Sequence, residues 1–472
     1  MKKPILLAPL LILLLAGCAW LAPDYKRPAL DLPEKWTDQK PSAGTTEILK
    51  GWWKEYHDPA LQKLVEEALA NNGDLAVAAA RVQQAQAQYK YAFANQFPLV
   101  TAEGIATRSK LGFPNNFLLT NKPVNLSFIG GMLSYEVDLW GKLASMSKAA
   151  KAALQATGYN RDAAKLSIAS TAAQLYFTIL ALDADIRITQ DTIRSREESY
   201  QLVKQQYDRE NTNGLVLRQS EAEMEATRAR LPKLLEEKDK AESSLSVLLG
   251  RSPRDIIDGR ISRGAGLEAL PIPPVTPVKL PSTLLQRRPD IAAAEEALVA
   301  SNFNIGVARA AYFPTISLSN LLGISNVDIQ NLYSGTMRGW LMGATLAGPV
   351  LDFGRTRSGV DLAFAKKEEL LASYKNAVRS AFKDVKDALS EQTNSQNEEQ
   401  AQAKEEKAVK EALRLANLRF SSGYSSYIEV LDAERNLYSA QIGLIAAKLK
   451  RLNASVNLCK ALGGGWKADT GS

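Results

Sequence analysis

The chain is a tandem duplication, and this limits its folds more than any other feature. Setting Asp74 against Asp290 gives an offset of 216 residues, which also carries Leu75 to Ile291, Phe97 to Phe313 and Pro98 to Pro314. Further on the offset is 213, carrying Trp140-Gly141-Lys142 onto Phe353-Gly354-Arg355, Tyr207 onto Phe420, Glu221 onto Glu434 and Leu249-Gly250 onto Leu462-Gly463. Two constant offsets separated by one three-residue gap identify an internal repeat. Whatever the first half folds into, the second must fold into as well.

Each half follows one plan: a helix, two strands, a very long helix and a shorter helix. Ala, Leu, Gln, Glu and Lys dominate the middle of the chain and aromatic residues make up 7%, which favours long helices over sheet. Residues 142–213 contain no proline and one glycine, Gly158, so a nearly continuous helix of roughly 100 Å is predicted at a 1.5 Å rise. A second is predicted from about Arg355 to Ser422. Ile168, Ala172, Leu175, Ile179, Leu182 and Ile186 recur at alternating steps of four and three. Leu371, Tyr374, Val378, Phe382, Val385 and Leu389 do nearly the same. Such stripes are coiled-coil seams.

The strands follow abruptly on the first helix of each half, after Phe97-Pro98 and Phe313-Pro314. Proline removes a helical donor and starts the extended stretch, so these four residues mark a helix-to-strand junction. Between Ser127 and Leu139, Ile129, Leu133, Tyr135, Val137 and Leu139 fall on one face; Met132, Ser134, Glu136 and Asp138 fall on the other. Ile316, Leu318, Leu322 and Ile324 alternate with Ser317, Ser319 and Gly323, although Leu321 interrupts the polar face. This alternation fits a transmembrane barrel or a half-buried soluble sheet. In lipid, four strands cannot close, since about eight is the smallest barrel. Other copies must supply the rest, and three chains would give twelve strands. The fold class expected is mostly α with membrane β: a trimeric α-barrel of long coiled-coil helices continuous with a 12-stranded transmembrane β-barrel, four strands per protomer.

The leader "MKKPILLAPLLILLLAGCAW" has a basic start and an apolar run too short to span a bilayer, the layout of an export signal. Leu15-Ala16-Gly17-Cys18 resembles a bacterial lipobox, which implies cleavage before Cys18 and an N-terminal acyl and diacylglycerol lipid on it. Two or more chains hold a protein stably on a membrane. Ala19 follows rather than Asp, which by the lipoprotein sorting rule implies the outer membrane. The other cysteine, Cys459, is left without an intramolecular disulfide partner. The chain thus divides into a signal peptide (1–17), a lipidated N-terminal segment (18–60) and a first repeat (61–263, strands about 99–140). A proline-rich linker (264–281), a second repeat (282–463, strands about 315–353) and a tail (464–472) follow.

The net charge of +7 falls to +5 without Lys2 and Lys3, and the basic residues are interleaved with acids, as in "AKEEKAVKEALR". No phosphate-tracking stripe emerges, so a nucleic-acid partner is not expected. His57 is the single histidine, which excludes histidine-based triads and multi-histidine metal sites. It precedes Asp58, a helix cap with Pro59 at the first helical position, and is assigned a structural role. Trp52 and Trp53 are assigned to packing. Gly354 to Gly359 has phosphate-loop spacing but lacks the Lys and Ser/Thr that must follow, so it is a strand-to-helix turn. Neither an enzyme activity nor a cofactor beyond the lipid is expected.

The segments "WWKEYHDPALQKLVEEALANNGDLAVAAARV", "LPSTLLQRRPDIAAAEEALVASNFNIGVARAAYFPTISL", "YEVDLWGK" and "LCKALGGGW" resemble the lipidated outer-membrane efflux factors, the TolC-like and OprM-like exit ducts, over essentially the whole mature chain. The resemblance implies a homotrimer spanning outer-membrane lipid and periplasm. It also implies a periplasmic adaptor and an inner-membrane transporter of the RND type as partners in multidrug efflux. An exit duct for type I protein secretion shares this architecture, and a lipid-anchored periplasmic scaffold without a pore is the rival of another class. By the same resemblance the helix pairs turn at two tips, Tyr207–Leu217 and Phe420–Val430, which form the periplasmic entrance. Tyr207, Gly214, Leu217 and Gly423 are the implied adaptor contacts. Phe420, Gly423, Glu429, Val430, Leu431 and Asp432 are the implied gate, with Glu429 and Asp432 on one helix face as an acidic ring. Gly423 matches the expected turn glycine; its repeat-mate is Glu210. Val216 and Gln219 stand at the first-repeat positions of Glu429 and Asp432, and Ser425 stands where some members carry a latch arginine, so the latch is expected to be weaker or to rely on apolar contacts such as those of Val430 and Leu431.

Overall fold

The structure is a computed structural model, and it describes residues 21–33, 51–109, 124–273, 281–326 and 337–466. Cys18 and its leader, Pro274 and Pro277 of the linker, and the last residues of the tail lie outside that set. In chain order the elements are α1 (Pro59–Asn71), α2 (Gly73–Ala94), β1 (Leu99–Ser109), β2 (Val124–Val137), α3 (Lys142–Asp208), α4 (Gly214–Leu248) and α5 (Pro253–Asp258). Then come α6 (Leu284–Arg287), α7 (Pro289–Ala310), β3 (Thr315–Asn326), β4 (Met337–Ala347), α8 (Arg355–Ser421) and α9 (Tyr427–Ala461). The duplication is kept to the residue. Under the two offsets the ends of α2 and α7 coincide, α3 and α8 both span 67 residues, and α4 and α9 both span 35.

The chain forms two compact units. The first comprises the described residues of Met1–Ala29, Arg81–Gly158 and Ala293–Lys375 and contains the sheet. Its strands run antiparallel in the order β1-β2-β3-β4. Leu99 pairs with Ser134 in the first hairpin and Thr315 with Ala347 in the second, so the repeat extends to strand register. Ile129 pairs with Ile324 and Tyr135 with Leu318 across β2 and β3. Directly paired residues share a face, so both apolar stripes lie on one side, continued by Val100 on β1 and by Trp340, Met342 and Leu346 on β4. The other side carries Thr101, Glu103, Ser134, Glu136, Ser317, Ser319 and Thr345, interrupted by Leu99, Ile105, Phe128, Met132, Leu321 and Leu341. Leu139 and Asp138 fall beyond the end of β2, contrary to the alternation drawn from sequence. Proximity to α3 is the reason, because Asp138 caps that helix by accepting from the Leu143 and Ala144 amides at 3.0 and 2.7 Å. Asp352 does the same at α8, accepting from Gly354 and Thr356.

The second unit comprises the described residues of Leu30–Ala80, Tyr159–Ala292 and Asn376–Ser472 and is helical. Both coiled-coil stripes pack inward here and in the adjoining turns: Ala172, Ile179, Tyr374 and Val385 are fully buried. Gly250 and Gly463, repeat-mates with left-handed φ of 70° and 89°, each sit where a Cβ would meet a backbone carbonyl, of Asn71 and of Arg287. Those two carbonyls are themselves repeat-mates, as are the donors beside them. Asn72 Nδ2 donates to the Leu248 carbonyl, and Arg288 Nη1 to that of Ala461. Asp58 is fully buried, accepts from the Ala60 and Leu61 amides, and also accepts from the Tyr176 hydroxyl at 2.8 Å. His57 beside it is exposed and left-handed, closing a 3₁₀ turn over Trp52–Tyr56, so the buried polar group at this point is the aspartate. Trp52 is buried and meets Trp53 and Tyr56 edge-on. The linker is not wholly extended: Leu267–Ala269 forms a 3₁₀ turn with Leu267 and Leu270 buried.

Candidate functional site

The two helix tips share one backbone despite different sequences. At the first, the Glu210 amide donates to the Tyr207 carbonyl at 2.9 Å and Asn211 to Gln206 at 2.8 Å; at the second, Gly423 donates to Phe420 at 3.0 Å and Tyr424 to Arg419 at 2.9 Å. All four pairs correspond at the 213 offset. Glu210 has φ 59° and Gly423 φ 78°. The glutamate therefore adopts a conformation that ordinarily favours glycine, and the lack of a glycine at the first tip does not change the turn. Asn213 caps α4 by accepting from the Val216 amide, whereas its mate Ser426 caps α9 without a side-chain bond.

Beneath the turns a small apolar core joins the hairpins: Val203, Leu217, Tyr427, Val430 and Leu431 are buried, with Tyr200, Val216, Leu413, Ala416 and Phe420 packed against them. Phe420 and Tyr427 meet at 5.4 Å between ring centroids, and burial raises the Tyr427 hydroxyl to about 12. Val430 and Leu431 make their apolar contacts within this core, and Leu217, named as an implied adaptor contact, is buried in it as well. The reason is that all three lie on the sides of α4 and α9 that face the other hairpin. Exposed apolar groups instead lie at Tyr207, Leu215, Tyr424 and Ile428. Leu215 and Ile428 are repeat-mates, and that pairing was a signal available in the sequence. Gly214 begins α4, and a Cβ on it would touch the Tyr207 ring at 3.8 Å.

Glu429 and Asp432 are both exposed, as an acidic rim requires, but each faces an arginine of its own chain. Arg419 lies 3.5 Å from Glu429, and Arg435 3.1 Å from Asp432. Ser425 has a buried hydroxyl without a hydrogen-bond partner. Two turns below the rim lies a charged node that periodicity did not reveal. Arg196 of α3 is buried and donates from Nη1 to the Glu223 carbonyl at 2.8 Å, to Glu223 Oε2 at 3.1 Å and to the Thr227 hydroxyl. Glu223 of α4 also receives Arg435 of α9, and that hydrogen bond, together with the charges of Arg435 and Arg196, holds its carboxyl below the usual range against desolvation. Glu434 is pushed up by burial, opposed by Arg196 and reinforced by Glu223, and one of its oxygens lacks a partner. Tyr438 lies under Arg196 and Arg230, with its hydroxyl 2.9 Å from that of Thr189. Nearby Asp185 is raised to about 6 by burial, opposed by Arg230. Among the described residues no cluster of His, Cys, Asp and Glu could hold a metal ion.

At the helix-to-strand junctions, α2 ends three residues before Phe97 and β1 begins directly after Pro98; α7 and β3 stand in the same relation to Phe313 and Pro314. Trp140 stacks on Phe313 at 4.5 Å between centroids, and its indole N–H donates to the Pro314 carbonyl at 2.7 Å.

A family model described as "Outer membrane efflux protein" matches residues 64–251 and again 280–464. The chain is 34% identical over its whole length to the probable efflux pump outer membrane protein TtgC of Pseudomonas putida, covering 97% of that protein. It is 33% identical to the probable outer membrane lipoprotein SilC of Salmonella typhimurium, over 96% of this chain and 97% of that one. Among solved structures, the Campylobacter jejuni CmeC outer membrane channel superposes with a TM-score of 0.88 at 27% identity, over 95% of this chain and 96% of the other.

Proposed function

Because the chain belongs to the outer membrane efflux protein family, we propose that three copies assemble into the exit duct of a tripartite pump. Its partners are a periplasmic adaptor and an inner-membrane transporter of the RND type, and its cargo is amphiphilic small molecules. The observation that carries this reading is a four-stranded sheet, apolar on one face, whose outer strands β1 and β4 each have one edge without a partner among the described residues. In lipid such edges must be closed by other chains. Twelve strands from three copies make a closed barrel with the apolar face outward and the Glu103, Ser134 and Ser317 face lining the bore.

The tips then form the periplasmic mouth. Tyr207, Leu215, Tyr424 and Ile428 supply the apolar surface an adaptor would cover, and Glu429 and Asp432 supply its acidic rim. The N-terminal segment supports a lipid anchor on Cys18. The Leu21 carbonyl accepts from Arg309 at 3.2 Å and the Pro23 carbonyl from Asn302. Leu21 is thereby tied five residues upstream of Pro314, where the first membrane strand of the second repeat begins. Three further residues reach at most about 10 Å, so acyl chains on Cys18 would lie within that reach of the start of β3, in keeping with a lipid anchor at the membrane end of the proposed barrel.

Deleting the gene should raise the cellular accumulation of several unrelated amphiphilic compounds, and the intact chain should restore their export. Unchanged accumulation and susceptibility, with loss of one secreted protein instead, would overturn the efflux reading.

A further inference from the structure

The duplication fixes how one subunit must meet the next. Both hairpins have the same register: Leu99 opposite Ser134 becomes Thr315 opposite Ala347 when the two offsets are applied. The junction between the hairpins, β2 against β3, is therefore a template for the one junction a single chain cannot make, β4 against β1. Carrying β2 forward by 213 and β3 back by 216 converts each observed pair into an intersubunit pair. Gly131 opposite Leu322 becomes Ala344 opposite Ala106, Leu133 opposite Asn320 becomes Leu346 opposite Gly104, and Val137 opposite Ile316 becomes Val350 opposite Val100. Face is preserved in every case, so the apolar side stays continuous around the ring.

The same operation applies to the aromatic clasp below the sheet. Trp140 and Phe313 are stacked within the chain, and their mates are Phe353 and Phe97. Those mates are exposed to 92% and 56%, and Val350 is fully exposed. The exposed groups are the two halves of a contact already made once inside the chain. We propose that in the homotrimer β4 of each subunit pairs with β1 of the next in this register, and that Phe353 stacks on the partner's Phe97. The copy is incomplete in one respect. Trp140 donates its indole N–H to the Pro314 carbonyl, whereas the phenyl ring of Phe353 has no N–H to offer the partner's Pro98, so the clasp between subunits lacks a side-chain hydrogen bond that the clasp within each subunit has.

This proposal rests on the homotrimer reading, and the test separates the two. Ala344→Cys combined with Ala106→Cys is oxidised in mild detergent and run without reductant, beside each single variant as a control for Cys459 and Cys18. A covalent trimer is expected. Ala344→Cys with Gly104→Cys, and Leu346→Cys with Ala106→Cys, place the sulfurs one diagonal step apart, about 7–8 Å between Cα atoms, and should not close. A bond in a shifted pair, or none in a protein that still sizes as a trimer, overturns the register. A protein that sizes as a monomer overturns the homotrimer itself. For the clasp, Phe353→Trp should lengthen the half-life of the trimer at a fixed dissociating temperature roughly fivefold, by adding one hydrogen bond. Phe353→Ala should shorten it about tenfold. No change in either variant overturns the stacking.

Discussion

Replacing Glu223 by alanine is the sharpest test of what holds the two hairpins together. The side chain of Arg196 is 7% exposed and that of Glu223 16%, so this is a buried pair, while Arg435 is half exposed. Glu223→Ala leaves Arg196 hydrogen-bonded to neutral acceptors only, the residue 223 carbonyl and the Thr227 hydroxyl, with the Glu434 carboxyl as its remaining charged neighbour. Stranding one member of a buried pair costs about 3 kcal/mol or more. Arg435→Ala removes only the solvent-screened member and should cost less than about 1 kcal/mol. Assembly should survive both, because the node lies within one protomer. The effect should appear as local opening, read by amide hydrogen exchange along α9 from Val430 to Tyr438 in mild detergent. At about 1.4 kcal/mol per decade, protection there should fall roughly hundredfold in Glu223→Ala and less than tenfold in Arg435→Ala. Arg196→Met with Glu223→Leu, which removes both charges, should recover most of the loss. Equal effects of Glu223→Ala and Arg435→Ala, or a Glu223→Ala effect below threefold, would refute the assignment of the node as the clasp.

Glu429→Gln with Asp432→Asn should lower cation selectivity and multivalent-cation block in planar-bilayer recordings while the trimer forms normally. A double variant that conducts and blocks like the parent shows that these two carboxylates, each already facing an arginine, do not line the constriction. Glu210→Gly should raise stability by about 1 kcal/mol, since it relieves a left-handed residue with a Cβ, whereas Gly423→Ala should lower it by a similar amount. Thermal unfolding at one fixed scan rate measures both, and a neutral Glu210→Gly would show that the first turn is not held left-handed.

What the sequence carried well was whatever depends on period and spacing. The helix lengths, the four strands, the shared apolar face and the correspondence of the halves all follow from where prolines, glycines and apolar residues recur, because backbone geometry repeats at fixed intervals. Face assignment near element ends was less legible. Leu139 and Asp138 continue the alternation of β2, but the start of α3 needs a carboxylate and takes Asp138 out of the strand. The tip residues were assigned to an aperture by resemblance, whereas Leu217, Val430 and Leu431 are buried by a neighbouring hairpin that lies hundreds of residues away or across the repeat. Arg196 was invisible for the same reason. A lone arginine on a charged helix looks solvated until Glu223, Thr227 and Arg435 are brought around it from two other helices.

The places where the two repeats agree and disagree follow from what each position has to do. At the sheet, at Gly250 and Gly463, and at Asn72 and Arg288, either the register, the glycine or the hydrogen bond is preserved, because a ring built from two kinds of half must present equal geometry at every junction. The charged node obeys no such constraint. At the 213 offset Arg196 corresponds to Val409, Glu223 to Asn436, and Arg435 to Ala222. The second repeat therefore cannot build a copy of the node, and neither can the equivalent surface of an adjoining subunit. The contact between the two hairpins of one subunit is held by a buried ion pair, and in the proposed trimer its counterpart between subunits would lack that pair. Substitutions in this layer thus act inside a subunit, which is why loss of Glu223 should loosen α9 and leave the assembly intact.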